Sequence, residues 1–245
     1  MTSMNFAWLK LVLTVLLAVV LTGCTVQPIA PAPSFSVPVV RGPVVILPRL
    51  ALPAPLAPAG LAPLTLRGTI VIDPGHGGKD PGAQIPGVNE KTINLAVSRA
   101  IAKKLSLRGV TVILTRNSDI AVELADRPAS GARADLFVSI HSDSNPSSAK
   151  VGHSVLLPRS GNPRARLAGQ YIDRRMIAAG SPTYTMRTDT RNLLVLREAR
   201  CPAVLVELGY LTNRTEASRL VTAAYQEQLA IAIANGIIDY LVNKR

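Results

Sequence analysis

A chain of 245 residues with 48% apolar and 17% charged residues, and a mean hydropathy of +0.27, is neither disordered nor a heptad-built coiled coil. Two cysteines cannot build a disulfide scaffold, and three histidines beside fifteen acidic residues restrict any metal site to a mixed histidine–carboxylate set. A formal net charge of +12 favours an anionic partner or surface, and the lack of a second long apolar run excludes a multispanning membrane protein.

Residues 1–24 read as a secretion leader. Lys10 precedes an uninterrupted apolar run from Leu11 to Leu21, which is too short for a spanning helix and suits a signal core. The run closes on Leu21-Thr22-Gly23-Cys24, which resembles the lipobox of bacterial lipoproteins and implies lipidation of Cys24. Residues 25–67 follow as a spacer. Ten of the nineteen prolines fall there and no acidic residue does, a composition that favours extended polyproline II.

From Gly68 the pattern becomes that of an α/β domain, residues 68–245. Thr69–Ile72 is a short strand stopped by the turn-forming string DPGHGGKDPG. Asn89 is the N-cap of a helix whose apolar positions Ile93, Val97, Ile101 and Leu105 keep helical spacing up to Gly109. Val110–Thr115, Leu136–Ile140 and Ser154–Leu157 read as further strands, and Arg164–Ala179 as a helix. Ser181–Arg191, with Pro182 and several threonines, reads as a loop. Leu193–Leu196 and Ala203–Val206 are short strand candidates, and Asn213 with Glu216 forms a capping box for one long helix, Thr215 to about Val242. Strands alternating with helices imply a largely parallel or mixed sheet covered on both faces, with its ligands beyond the carboxyl ends of the strands.

Three of those strand ends carry polar groups. His76 follows the first strand, His141 the LFVSI strand, and Glu207 closes AVLV; Glu90 begins the first helix just after the His76 loop. A carboxylate ending an apolar strand is costly to desolvate unless it is paired, ligated or used. Imidazole and carboxylate are good Zn²⁺ ligands, so His76, Glu90 and His141 can form a catalytic site, with Glu207 as the non-ligating acid–base group. Each signal alone has a structural alternative. A strand-end histidine also serves as a hydrogen-bonding residue, and Glu90 also suits the first turn of a helix dipole. His153 opens a strand and reads as structural.

The strings TIVIDPGHGGKDPGA, NEKTINLAVSRAIAKKL, VTVILTRNSD, DLFVSIHSDS, NLLVLREA and PAVLVELGYLTN, in order from Thr69 to about Leu241, resemble the N-acetylmuramoyl-L-alanine amidase type 3 family of zinc-dependent peptidoglycan hydrolases. The resemblance implies a twisted, mostly parallel six-stranded sheet flanked by helices on both faces. It implies zinc on His76, Glu90 and His141, and a catalytic Glu207. Arg197 is a candidate for a stem-peptide carboxylate, with an ion pair to an acidic neighbour as its alternative. Where the family commonly has Asn two residues after the second histidine ligand, Asp143 stands here. Some periplasmic members carry a helix that plugs the site between that histidine and the glutamate. Only 65 residues separate His141 from Glu207 here, so such an insert is not expected. The implied partners are peptidoglycan and, through the lipid, a membrane; no nucleic acid is called for. The implied location is the cell envelope, at the periplasmic face of the outer membrane in a Gram-negative cell. A zinc peptidase of stem peptides and a non-catalytic wall-binding lipoprotein are the competing classes.

Overall fold

The computed structural model describes residues 66–244. The expectations for the leader 1–24, its Cys24 and nearly all of the spacer 25–67 fall outside these residues. Eight strands form in chain order: β1 (Thr69–Pro74), β2 (Gln84–Ile85), β3 (Val88–Asn89), β4 (Thr111–Leu114), β5 (Leu136–Asp143), β6 (His153–Leu157), β7 (Thr183–Thr188) and β8 (Ala203–Tyr210). Six of them make one sheet in the order β4-β1-β5-β8-β6-β7, while β2 and β3 pair as a separate small hairpin. Every pairing in the large sheet is parallel except β6 with β8. The six-stranded, mostly parallel sheet expected from the sequence is therefore the one observed.

The apolar runs bury side chains on both faces, because successive residues of a strand point to opposite sides. Ile70, Ile72, Val138, Ile140, Val155, Val204 and Val206 belong to the larger core. It is completed by helices α1 (Glu90–Ser106), α3 (Pro163–Ala178) and α6 (Ala223–Asn243). Val71, Phe137, Leu156, Ala203 and Leu205, one residue out of phase, form a smaller second core. Only the short helix α4 (Leu194–Arg197) contributes buried helical side chains there, Val195 and Leu196; α2 (Asp126–Ala129) is equally short. Helix α5 (Arg214–Leu220) precedes α6.

The helix starts differ. Asn89 precedes α1 in extended conformation but makes no side-chain cap bond, its Oδ1 accepting from Gln84 Nε2, whereas Asn162 accepts from the amides of Arg164 and Ala165 ahead of Pro163 in α3. Helices α3 and α6 approach so closely at Gly236 that a Cβ there would stand 2.6 Å from the Ile172 Cα.

Four expectations need correction. The strand candidate Leu193–Leu196 falls mostly in helix α4, with Leu193 as the residue before it, and Val195 and Leu196 are buried in the second core. Four apolar residues carry too little periodicity to tell the two apart. Ser181–Arg191 is not a loop but contains edge strand β7, whose threonines favour extended backbone. The long terminal helix is two helices, because the Thr222 hydroxyl donates to the Arg219 carbonyl and accepts from the Tyr225 amide, closing one helix and opening the next. Half of the capping box is made. Asn213 accepts from the Glu216 amide, but the Glu216 carboxylate turns inward to the amides of Gly152 and Tyr210.

Candidate metal centre

The strand phase that fills the second core also carries Asp73 on β1, Ser139 and His141 on β5, and Glu207 on β8. Asp73 pairs with Ser139 and His141 with Glu207 in register, so these side chains share one face. Asp73 is fully buried and accepts from Thr115 Oγ1 (2.6 Å), Ser139 Oγ (2.8 Å) and Arg127 Nη1 (2.8 Å). Arg127 also donates to the carbonyls of Pro74 and His76, while Arg116 donates to those of Pro74, Gly75 and Lys91. Two guanidinium groups thus hold the backbone of the His76 loop from beneath. His76 itself sits at φ 62, a left-handed conformation that is uncommon for a residue with a Cβ. At Gly75, a Cβ would run into the His141 ring, so only glycine lets the loop pass.

This scaffold brings three of the sequence-selected residues together. Potential ligand atoms of His76, Glu90 and His141 all lie within 4.8 Å of one another. His76 Nε2 is 3.2 Å from Glu90 Oε2, and His141 Nδ1 is 3.1 Å from Glu90 Oε1. Glu90 is further aimed by the amides of Ala83 and Ser142 and by Asn94 Nδ2. On the outer side, His76 Nδ1 donates to Asp80 Oδ2 at 2.7 Å, which fixes the tautomer that leaves Nε2 facing inward. Burial opposes charge on His76, yet Glu90 and Asp80 raise its pKa to about 9. His141 shifts upward as well: burial opposes it, and Glu90 and Glu207 outweigh burial. Burial likewise works against the Glu90 carboxylate, but His141 and His76 hold it far below the usual range. The centre demands positive charge. A divalent cation meets that demand with neutral imidazoles, and two nitrogens with one carboxylate suit Zn²⁺ with a position left open.

Glu207 stands beside this cluster, 4% exposed. Its Oε1 accepts from Arg191 Nη2 at 3.4 Å, whereas Oε2 is buried without a hydrogen-bond partner. Burial raises its pKa to about 7; His141 and Arg191 pull it down, and Asp143 and Glu90 push it up. A cavity of about 480 Å³ opens over these groups, lined by His76, Glu90, His141, Glu207, Asp73, Arg127 and Arg191 among others. The 65 residues between His141 and Glu207 include β6, α3, β7 and α4.

Arg197 lies elsewhere. It donates to Glu198 Oε1 (2.7 Å) and to the Asn192 carbonyl (3.3 Å), and it lines a separate cavity of about 100 Å³. Asp80, Arg116, Arg127 and Arg191 were not singled out by the sequence reading. Asp80 had a local signal, an acid four residues after His76 in the turn string; the arginines had none, because their partners are distant in the chain. His153 is fully buried and bonded to Asp173 (2.9 Å) and Ser181 (3.1 Å), away from the cluster.

The profile of a family described as N-acetylmuramoyl-L-alanine amidase matches residues 70–239. Among curated proteins, the N-acetylmuramoyl-L-alanine amidase LytC of Bacillus subtilis is 36% identical over 177 residues; the match covers 70% of this chain but only 35% of that protein. Among solved structures, the N-acetylmuramoyl-L-alanine amidase of Clostridium difficile 630 superposes with a TM-score of 0.70 at 29% identity, covering 74% of this chain and all of the other. The amidase AmiC2 of Nostoc punctiforme gives a TM-score of 0.67 at 36% identity, with 72% and 98% of the two chains covered.

Proposed function

The chain belongs to the N-acetylmuramoyl-L-alanine amidase family, and we propose that it hydrolyses the amide between the lactyl group of N-acetylmuramic acid and the L-alanine of a peptidoglycan stem peptide. In this proposal His76, Glu90 and His141 hold Zn²⁺, and Glu207 is the acid–base residue. The observation that carries it is the Glu207 Oε2 atom, buried and unpartnered beside three convergent ligand groups.

Zinc, when bound, supplies Lewis acidity that polarises an amide carbonyl and acidifies water. The remaining work falls to the protein. Arg191 holds Glu207 Oε1, which leaves Oε2 to receive the proton of the attacking water and return it to the departing amine. Water then adds across the bond, hydroxyl to the carbonyl carbon and hydrogen to the alanine nitrogen. Burial, which raises the Glu207 pKa, favours its holding the proton between the two halves of that transfer. Asp80 keeps Nε2 of His76 directed inward, and Asn94 with the Ser142 amide keeps Glu90 in place.

We further propose that residues 68–245 are the catalytic part of an exported lipoprotein, with leader 1–24, an acylated Cys24 and a spacer over 25–67. The run Leu11–Leu21 ending at Thr22-Gly23-Cys24 supports this reading. Among the described residues, no helix is long and apolar enough to cross a membrane. Attachment would then be to the cell envelope through lipid, at the periplasmic face of the outer membrane in a Gram-negative cell. Digestion of purified sacculi with and without a chelator tests the activity. Free stem peptides beginning with L-alanine, lost on chelation and restored by zinc, are expected. Cut cross-links with intact lactyl amides would instead support a peptidase.

A further inference from the structure

We propose that a second groove, beside the Glu207 cavity, is a carboxylate-selective subsite for the stem peptide, with Lys150 and Arg187 as its cations and Tyr184 with Tyr210 as its wall. This rests on the amidase reading above. The groove has a volume of about 550 Å³ and adjoins the cavity through Asp143, Ser144 and Arg191, which line both.

Its geometry follows from register. Glu207 on β8 lies opposite Ser154 on β6, which in turn lies opposite Thr185 on β7. Side chains in register share a face, so Thr185 and, two residues on, Arg187 stand on the Glu207 side of the sheet. Met186 points the other way and packs against the larger core. A register shift between His153 and Ser154 leaves Tyr184 as an extra residue of β7. A second shift, between His141 and Asp143, brings Tyr210 opposite Asp143. Such irregularities re-aim side chains near functional sites. Here they set the two tyrosines edge to face, with ring centroids 5.4 Å apart and planes at 80°. Ser154 Oγ lies 3.3 Å from Tyr210 Oη and steadies that ring.

The charges are arranged for an anion. Lys150 Nζ lies 4.8 Å from the centroid of the Tyr184 ring, and Arg187 donates only to the Thr190 hydroxyl. Neither has a carboxylate partner among the described residues. Lys150 and Arg187 line the groove together with Arg191, which is engaged by Glu207, and the one carboxylate of the lining, Asp143, already accepts from the Ser144 amide through Oδ1. The scissile amide divides the substrate into a glycan side of hydroxyl and acetamido groups and a peptide side that bears free carboxylates. Charge complementarity selects the peptide side. The chain's own N-terminal segment cannot supply the anion, because residues 1–72 contain no Asp or Glu.

The test uses the purified, zinc-loaded full-length protein on glycan strands whose stem peptides carry free carboxylates, and on the same strands with those carboxylates amidated. Released peptides are quantified by chromatography. The expected result is a KM about 10-fold lower for the free form with kcat within about twofold, the scale of a charge-assisted hydrogen bond. The double variant Lys150→Gln/Arg187→Gln should erase that difference by raising KM for the free form alone. Should the double variant not fold, Arg187→Gln alone, at an exposed edge-strand position, must still raise KM selectively. Equal KM values in the parent would overturn the subsite. So would a variant that raises both KM values together, since general attraction to the wall would then explain the charge. Release of peptide from neither substrate by the parent would overturn the amidase reading, and the subsite with it.

Discussion

The two faces of the central sheet are made by the same strands and do different things. On one, Ile70, Ile72, Val138, Ile140 and Val206 lie beneath three long helices and form the larger core. On the other, one residue out of phase, Asp73, Ser139, His141 and Glu207 lie beside a small apolar patch under a four-residue helix. Thick cover supplies stability. Thin cover leaves room for a cavity in which carboxylates and imidazoles are desolvated but reachable. A strand buried on both faces can therefore serve folding with one set of side chains and chemistry with the other, provided the crossovers on one side stay short.

The sharpest way to break this division is to alter the thin face without touching stability. Glu207→Gln should keep about one zinc per chain and an unchanged unfolding midpoint, yet lose ~10²-fold or more in kcat, the scale of general acid–base catalysis. His76→Ala, Glu90→Ala and His141→Ala should lose metal and activity together. Metal analysis beside a sacculus assay separates the two outcomes, and near-parental turnover by Glu207→Gln would end its assignment.

Next in size is the polar footing of the thin face. Arg127→Met leaves Asp73 buried with its cationic partner gone, and it frees the carbonyls of Pro74 and His76. A loss of about 3–5 kcal/mol is expected in denaturant unfolding, with weakened zinc retention. Loss of stability without any change in zinc affinity would show that the His76 loop is held by other means.

On the thick face, Gly236→Ala should cost about 1–3 kcal/mol, because the added Cβ meets the Ile172 backbone where α3 and α6 cross. Zinc content and kcat of the folded fraction should stay at parental values. A change in kcat would deny that the two faces are independent.

The smallest effect is a pH dependence from His153, which shares the thick-face phase of Val155. Burial lowers its pKa below the ordinary 6.5, against the pull of Asp173. The folded protein therefore binds fewer protons at this site than the unfolded chain. The contribution to stability is complete above about pH 6.5 and declines as pH falls toward the folded-state value. His153→Asn should flatten that part of the stability profile by up to one proton, measured as the difference in slope between variant and parent.

Much of the fold was legible because its signals are local. The apolar runs at Thr69, Leu136 and Ala203 are strands, and Asn89, a residue type that starts helices, stands directly before α1. Segments too short for periodicity carry no such signal. Leu194–Arg197 is helical and sets Val195 and Leu196 in the second core, and Thr183–Thr188 is extended because β6 offers a free edge. At the site, His76, Glu90, His141 and Glu207 could be singled out, since polar groups at the ends of apolar strands are locally anomalous. Arg191 could not. It reaches Glu207 across 16 residues of chain, and no local pattern announces that partner.

By itself, then, the sequence determined which residue types stand at the strand ends, where the main strands and helices run, and which chemistry those residues can perform. The tertiary structure alone decided that His141 and Glu207 share the thinly covered face and that Glu90, at the end of a helix of the other face, reaches His141. It also decided that Arg116 and Arg127 brace the His76 loop and that β7 carries its tyrosine and arginine to the rim. The physical reason is range. Backbone conformation and burial phase are set by neighbours a few residues away, whereas the partners of Asp73 and Arg127, 54 residues apart, depend on strand order and register.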